Sequence, residues 1–260
     1  MESWRLIIDQ PRSGSQNMAH DFAILKGVAS GLPPTLRMYR WSPAAVTIGY
    51  FQIREDETDY NACLQDGVSV FRRITGGGAV YHNSELTYSV TIPLHNTIAK
   101  GSVADTYRLL LQPVVEVMKL YSISAEFRPV NDLTVDGKKI SGSAQTRKEG
   151  VLLQHGTVLL SIDREKMFRY LKVSVTKTSG KTYSEAGSGI TAMDELAEIN
   201  AFDEKFIEKF CLLIADAYGS IFNVKFNNCA LSDDEVLLSQ DIERSIFLNE
   251  HWNDKRKKST

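Results

Sequence analysis

Arg72-Arg73-Ile74-Thr75-Gly76-Gly77-Gly78-Ala79-Val80-Tyr81-His82 carries a short apolar run, Val68 to Arg73, into a bend of three consecutive glycines. Adjacent glycines let backbone N–H groups converge on an anion and let a ligand approach the main chain without a Cβ in the way. An arginine beside such a bend can bind phosphate or carboxylate in a fork. Side chains alternate along a strand, so Arg72 and Arg73 face opposite ways and one of them points toward any site the bend forms. A tight hairpin with two surface arginines would read the same way. The bend is not a P-loop, because no Gly-Lys-Ser/Thr follows, and it lacks the dinucleotide-binding fingerprint.

Working outward, Glu85 to Ile92 alternates cleanly, with Leu86, Tyr88, Val90 and Ile92 on one face and Thr87, Ser89 and Thr91 on the other, which predicts a half-buried strand. Trp4 to Ile8, Leu36 to Trp41, Val46 to Tyr50 and Val151 to Leu160 are further strand candidates. Met18, Phe22, Leu25 and Val28 have helical spacing, as do Phe206, Phe210, Ile214 and Ala217; Thr58 to Asp66 is a short helix closed by Gly67. Between Val103 and Tyr121 the apolar positions also recur helically, and Pro113 is expected to kink or divide that segment. Ser232 with Glu235 is a capping-box signature for a last helix. Strands and helices mix without strict βαβ alternation, which predicts an α+β fold with a mixed, largely antiparallel sheet and flanking helices. Residues 1–230 are expected to form the catalytic domain, and 231–260 a C-terminal helix and basic tail packed on or trailing it.

A second constellation is Asn131-Asp132-Leu133-Thr134-Val135-Asp136-Gly137-Lys138-Lys139-Ile140-Ser141-Gly142-Ser143-Ala144-Gln145. Asp136-Gly137 tolerates the positive φ of a two-residue turn and so predicts a hairpin. On a regular strand Lys139 shares a face with Ser141 and Ser143, which favours it over Lys138 as the lysine turned toward a polar pocket. A solvent-exposed lysine pair at a hairpin is the plainer alternative. Third comes Gln154-His155-Gly156-Thr157, a histidine within a strand, a type more often structural than catalytic.

Bulk properties set bounds. With 260 residues, 43% hydrophobic and 24% charged, the chain can bury a full core without staples. A net charge of -2 gives no electrostatic reason to expect nucleic acid or an anionic membrane, and the run Lys255 to Lys258 is expected to be a solvated tail. Cys63, Cys211 and Cys229 cannot all pair and match no zinc spacing; a reducing cytoplasm fits best. The N-terminus lacks signal-peptide features, and no apolar run reaches membrane-spanning length. Thr176 to Gly189 is Ser/Gly-rich and is expected to be a mobile loop.

In this order and spacing the segments resemble the lipoate–protein ligase A family, within the wider group of biotin–protein ligases and octanoyltransferases. The likeness runs from Trp4 to Leu160, more weakly through Gly189 to Leu196 and near Trp252, and is most specific at Arg72 to His82, Glu85 to Ser89 and Lys139 to Gln145. It implies a catalytic domain like that of class II aminoacyl-tRNA synthetases and biotin–protein ligases, with ATP and Mg²⁺ as cofactors and lipoate as substrate. The acid is activated as its adenylate and passed to a lysine of a lipoyl-domain acceptor, such as a 2-oxoacid dehydrogenase E2, the glycine-cleavage H protein or a similar carrier. The implied catalytic residue is Lys139. The implied acyl and ATP site comprises Arg73, Gly76, Gly77, Gly78, Ala79, Val80, Tyr81, His82, Asn131, Asp132 and His155, with Asp132 also the implied Mg²⁺ ligand.

The nearest rival is a cysteine-dependent octanoyl- or lipoyl-transferase working through a thioester. No cysteine lies between Cys63 and Cys211, which favours adenylation. A biotin–protein ligase is a further alternative, as is a member that binds without turnover. Longer family members carry a C-terminal accessory domain; after Leu196 this chain has room for two helices and a tail, which implies a separate accessory polypeptide.

Overall fold

The computed structural model describes residues 1–172 and 189–254. The Ser/Gly-rich stretch expected to be mobile falls, up to residue 188, outside the described residues, as does the basic run from Lys255. The strands are β1 (Glu2–Ile8), β2 (Thr35–Tyr39), β3 (Ala45–Ile48), β4 (Ser69–Arg72), β5 (Val80–His82), β6 (Glu85–Pro93), β7 (Glu126–Arg128), β8 (Asp132–Val135), β9 (Lys138–Lys148), β10 (Val151–Leu159) and β11 (Val224–Asn228). The helices are α1 (Gly14–Ala29), α2 (Arg54–Glu57), α3 (Tyr60–Gln65), α4 (Val103–Lys119), α5 (Arg164–Tyr170), α6 (Glu204–Phe222), α7 (Asp233–Ile242) and α8 (Glu250–Asn253).

An eight-stranded sheet runs in the order β11-β1-β2-β6-β10-β9-β8-β7, parallel across β11, β1 and β2 and antiparallel from there on. A second sheet, β4-β3-β5, carries the glycine bend between its outer strands. The fold is thus α+β with a mixed, largely antiparallel sheet. The apolar face of β6 (Leu86, Tyr88, Val90, Ile92) packs with Leu110, Leu111, Val114, Phe210 and Ile214 of α4 and α6. A second apolar cluster joins Met18, Ala23, Ile24 and Leu25 of α1 to Val151 and Leu153 of β10.

Two expectations change. The strand β6 is buried on both faces, because it lies between β2 and β10 with α1 against it as well; Thr87, Ser89 and Thr91 are interior, not solvated. Pro113 lies inside an undivided α4, whose capping box at Ser102/Asp105 and buried apolar face offset the roughly 3 kcal/mol that an interior proline costs. The Asp136-Gly137 turn forms as expected, with φ of +48° and +76° joining β8 to β9. Among the described residues no helix is long and apolar enough to cross a membrane.

Candidate functional site

The glycine bend and the second hairpin meet across a cavity of about 600 Å³. Arg73, Gly77, Gly78, Ala79, Val80, Tyr81 and His82 line it from one side, Asn131, Lys139 and His155 from the other. A Cβ on Gly77 would stand 3.7 Å from Cβ of Ala144, so β9 touches the bend directly. Of the residues singled out in the sequence, Gly76 and Asp132 do not line the cavity.

The two arginines part as strand alternation requires. Arg72 donates to the carbonyls of Gly49, Tyr50, Gln52, Trp252 and Asn253, while its own N–H donates to Asn253 Oδ1. Arg73 turns the other way and donates to the carbonyls of Thr47, Gly76 and Gly78. Its guanidinium therefore shapes the bend. It is buried and, among the described residues, pairs with no carboxylate, and desolvation lowers its pKa to about 10. A cation held by neutral carbonyls leaves net positive potential at the cavity wall. Among the described residues no protein group accepts from the N–H groups of Gly77, Gly78 or Ala79, which leaves them to a ligand.

Gly77 has φ of +91°, which a side chain would strain. Gly49 is needed for a different reason: a Cβ there would lie 2.0 Å from the carbonyl oxygen of Gly77. Because both parties are backbone, no rotamer change relieves the clash. Gly49→Ala is expected to cost about 1–3 kcal/mol, lowering the melting temperature by roughly 2–12 °C, and to displace the bend. Gly78→Ala, which meets nothing within 4 Å, is expected to melt like the parent in the same calorimetric scan.

Two histidines brace the bend from opposite sides. Glu85 accepts from His82 Nδ1–H, leaving Nε2 to accept from the Thr47 hydroxyl at 2.8 Å, and that oxygen accepts from Arg73 at 3.1 Å. Burial pushes the His82 pKa down against the pull of Glu85, and Trp41 stacks on the ring at 3.8 Å. On the other side Asp21 accepts from His155 Nδ1 and the Thr75 hydroxyl meets Nε2 at 2.8 Å. Burial alone would raise the Asp21 pKa, but His155 and Arg37 hold it below the usual carboxylate range.

Lys139 reaches the site by a route the sequence does not display. Thr134 pairs with Lys139 and Leu133 with Ser141, so Ile140 is an extra residue that bulges into the apolar core. The bulge shifts the phase of the strand, and the Lys139 ammonium lies over Gly142 instead of sharing a face with Ser141. Lys138 is exposed. Lys139 Nζ stands 2.7 Å from Asp132 Oδ1, and Asp132 also meets Arg128 at 3.4 Å. Asn131 binds β9 through Ser143, its amide donating to the Ser143 carbonyl and its own carbonyl accepting the Ser143 N–H.

The sequence reading missed an apolar wall formed by Met167, Phe168 and Leu171 at α5, together with Met18, Tyr39 and Trp41. For α5 a signal existed: Asp163 caps the helix through Lys166 N–H, and Met167, Tyr170 and Leu171 have helical spacing. Among the described residues, which include all three cysteines, no thiol lines the cavity. Burial raises the thiols of Cys63 and Cys211 to about 11 and 12, and the exposed Cys229 is anchored on the far edge of the sheet, where its N–H bonds Leu6.

Comparison with known proteins identifies the family and the fold. Octanoyltransferase LipM of Clostridioides difficile is 35% identical over 277 residues, covering 98% of this chain and all of the relative. The LipM of Exiguobacterium sp. is 37% identical over 78% of this chain and 82% of its own length. Among solved structures, a bipartite lipoate protein ligase of Thermoplasma acidophilum, studied with its E2 lipoyl domain, superposes with a TM-score of 0.86 at 24% identity over the whole of both chains. A lipoate-protein ligase A bound with ATP gives 0.82 at 24% identity over 98% of this chain and 99% of the other. The model of the lipoyl protein ligase A/B catalytic domain matches residues 13–212. This match spans both motifs and most of the chain, and with the LipM relatives it shows that the chain belongs to the lipoyl protein ligase A/B catalytic-domain family.

Proposed function

We propose that this protein attaches a lipoyl or octanoyl group to a lysine of an acceptor protein, activating the free acid with Mg·ATP as an acyl adenylate. The observation that carries this reading is a cavity that combines a lysine, a carbonyl-held arginine and free backbone N–H groups with no thiol. Attack of a carboxylate on an α-phosphate brings two anions together, so the barrier is largely repulsion and positioning. Lys139 would offset charge on the carboxyl and phosphate oxygens, while the N–H groups of Gly77 to Ala79 and the Arg73 potential receive the phosphate. Pyrophosphate leaves as the mixed anhydride forms; the acceptor amine then attacks its carbonyl and AMP departs. The wall of Met167, Phe168, Leu171 and Trp41 covers the acyl chain, whose affinity comes mainly from buried apolar area.

Among the described residues no three His, Cys, Asp or Glu side chains gather as a metal cage. Mg²⁺ typically binds through one or two carboxylates plus substrate phosphates; Asp132, ion-paired here to Lys139 and Arg128, would be available for that role once the donor's anionic groups draw Lys139 away. Asp132 would hold the ion on the nucleotide, where it screens phosphate charge. His82 and His155 hold Thr47 and Thr75, and through them the bend, in place.

The names of the sequence relatives favour a second reading, in which an octanoyl group arrives as a carrier thioester. With no thiol in the cavity, that transfer would pass directly to the acceptor amine. Mass spectrometry of a lipoyl-domain acceptor separates the two: a lipoyl or octanoyl mass gain that requires ATP and releases pyrophosphate supports adenylation. Acylation from an octanoyl carrier without ATP, and none from free acid, would sink it. By analogy with the Thermoplasma neighbour, E2-type lipoyl domains or an H protein are the acceptors to try, with and without a separate accessory polypeptide. We assign residues 1–230 to the catalytic unit, with 231–254 docked on it through α7.

A further inference from the structure

We propose that Gly142 is a positioning residue: the absence of a side chain there forms, with Asp132, a cradle that fixes where the Lys139 ammonium rests. The inference rests on the reading that Lys139 contacts the acyl donor, but its first test does not depend on it.

Gly142 sits mid-strand between Asp132 on β8 and Thr157 on β10. Its φ lies outside the left-handed region, so the backbone does not demand glycine at this position. A glycine inside a strand weakens it and marks a close approach by another group. Here that group is Lys139. A Cβ on residue 142 would stand 2.6 Å from Lys139 Nζ and 2.7 Å from Cε, and 3.5 Å from Asp132 Oδ1. The lysine tip therefore lies across the bare strand, held at its end by the Asp132 carboxylate.

Among the described residues, the backbone that carries this tip and the carboxylate that meets it are both tied down. The Lys139 N–H donates to the Gly189 carbonyl at 2.8 Å, its carbonyl accepts from Thr191 N–H at 2.9 Å, and Thr134 pairs with it on β8. Asp132 is tied to Arg128, and its side chain is only 16% exposed against 39% for that of Lys139. A lysine–carboxylate pair whose ammonium is this open to solvent is weak, so anionic groups of an incoming donor can draw the ammonium off Asp132. The cradle makes that movement short.

An alanine at 142 meets only the far end of a flexible side chain. It is therefore expected to displace the ammonium without disturbing the sheet. The test is competitive acylation of surface amines with acetic anhydride, read by mass spectrometry, on the full chain and on Gly142→Ala and Asp132→Asn, beside thermal melts. Lys139 is expected to label more slowly than the exposed Lys138 in the parent, and its relative rate to rise about two- to fivefold in both variants. The Gly142→Ala melt stays unchanged. Equal labelling of Lys139 and Lys138 in the parent, or an unaltered Lys139 rate in Gly142→Ala, overturns the cradle. No acyl donor enters this measurement, so it decides the point even if the chain proves unable to form an adenylate. With whichever donor the parent uses, acyl transfer by Gly142→Ala is expected to fall about tenfold in kcat with KM for the acceptor unmoved. Undiminished kcat in a variant whose lysine has shifted overturns the positioning role.

Discussion

Replacing Lys139 by alanine is expected to lower acylation of an acceptor about a hundred- to a thousandfold, the loss typical when one preorganised charge partner of a transition state is removed. The fold should not register the change. The Lys139 side chain is 39% exposed, and its ion pair with Asp132 is of the partly solvated kind worth at most about 1 kcal/mol. Backbone contacts at residue 139, to Gly189, Thr191 and Thr134, survive the truncation. Lys138→Ala is the control, because that side chain is exposed and does not line the cavity, and the variant should act at the parental rate. Steady-state transfer followed by acceptor mass, alongside a thermal melt, checks both. Equal loss in the two variants would mean a diffuse need for positive charge and would remove Lys139 from the chemistry.

Glu235→Ala should produce the largest change in stability. Glu235 accepts from both terminal nitrogens of Arg5, at 2.7 and 2.8 Å, and closes the α7 capping box by accepting from the Ser232 N–H. Its side chain is 3% exposed and that of Arg5 11%. Removing one partner strands a guanidinium in a nearly dry site, which costs about 3–5 kcal/mol, or roughly 10 °C in melting temperature. Replacing both, as Arg5→Met with Glu235→Leu, should recover much of that, since a buried pair often only breaks even against apolar packing. Burial would raise the Glu235 carboxyl, but Arg5 and Ser232 hold it below its ordinary value of 4.5. A depressed carboxylate contributes stability above that value and loses it on acidification, so the difference between parent and Glu235→Ala should narrow as pH falls below about 4.5. A variant that melts within 2 °C of the parent would refute the account.

The parts of this molecule legible in its sequence are those where local pattern and tertiary environment agree. Helical spacing located α1 and α6, Asp136-Gly137 located a hairpin, and Ser232 with Glu235 located a cap. For Glu235 the local motif was half of its role: Arg5 lies 230 positions away, and nothing near either residue advertises the partner. Lys139 was singled out by an argument from strand parity that the structure overturns. The Ile140 bulge reverses the parity, and the lysine reaches the cavity because Gly142 leaves it room. Resemblance drew attention to Arg73, but a linear motif cannot reveal that its guanidinium is already committed to three carbonyls. Trp41 and Asp21 carry no local signal of a site role: Trp41 joins the cavity wall and stacks on His82, and Asp21 acts through His155, each partner far along the chain.

The clamp on Arg72 has a bearing on biosynthesis. Two carbonyls that hold this buried guanidinium, and the side-chain amide oxygen that accepts the Arg72 backbone N–H, come from residues 252 and 253, as many as 181 positions downstream, and β1 gains its outer neighbour β11 from a comparable distance. Contacts so distant form late, after most loop-closure entropy has been spent. A nascent chain can build the β6–β10–β9 ribbon while still being translated, but the arginine at the foot of the glycine bend lacks these partners until Asn253 has emerged. Ordering of the bend is thereby expected to wait for the Trp252–Asn253 segment, so that a chain cut short ahead of it leaves the Arg72 clamp unmade.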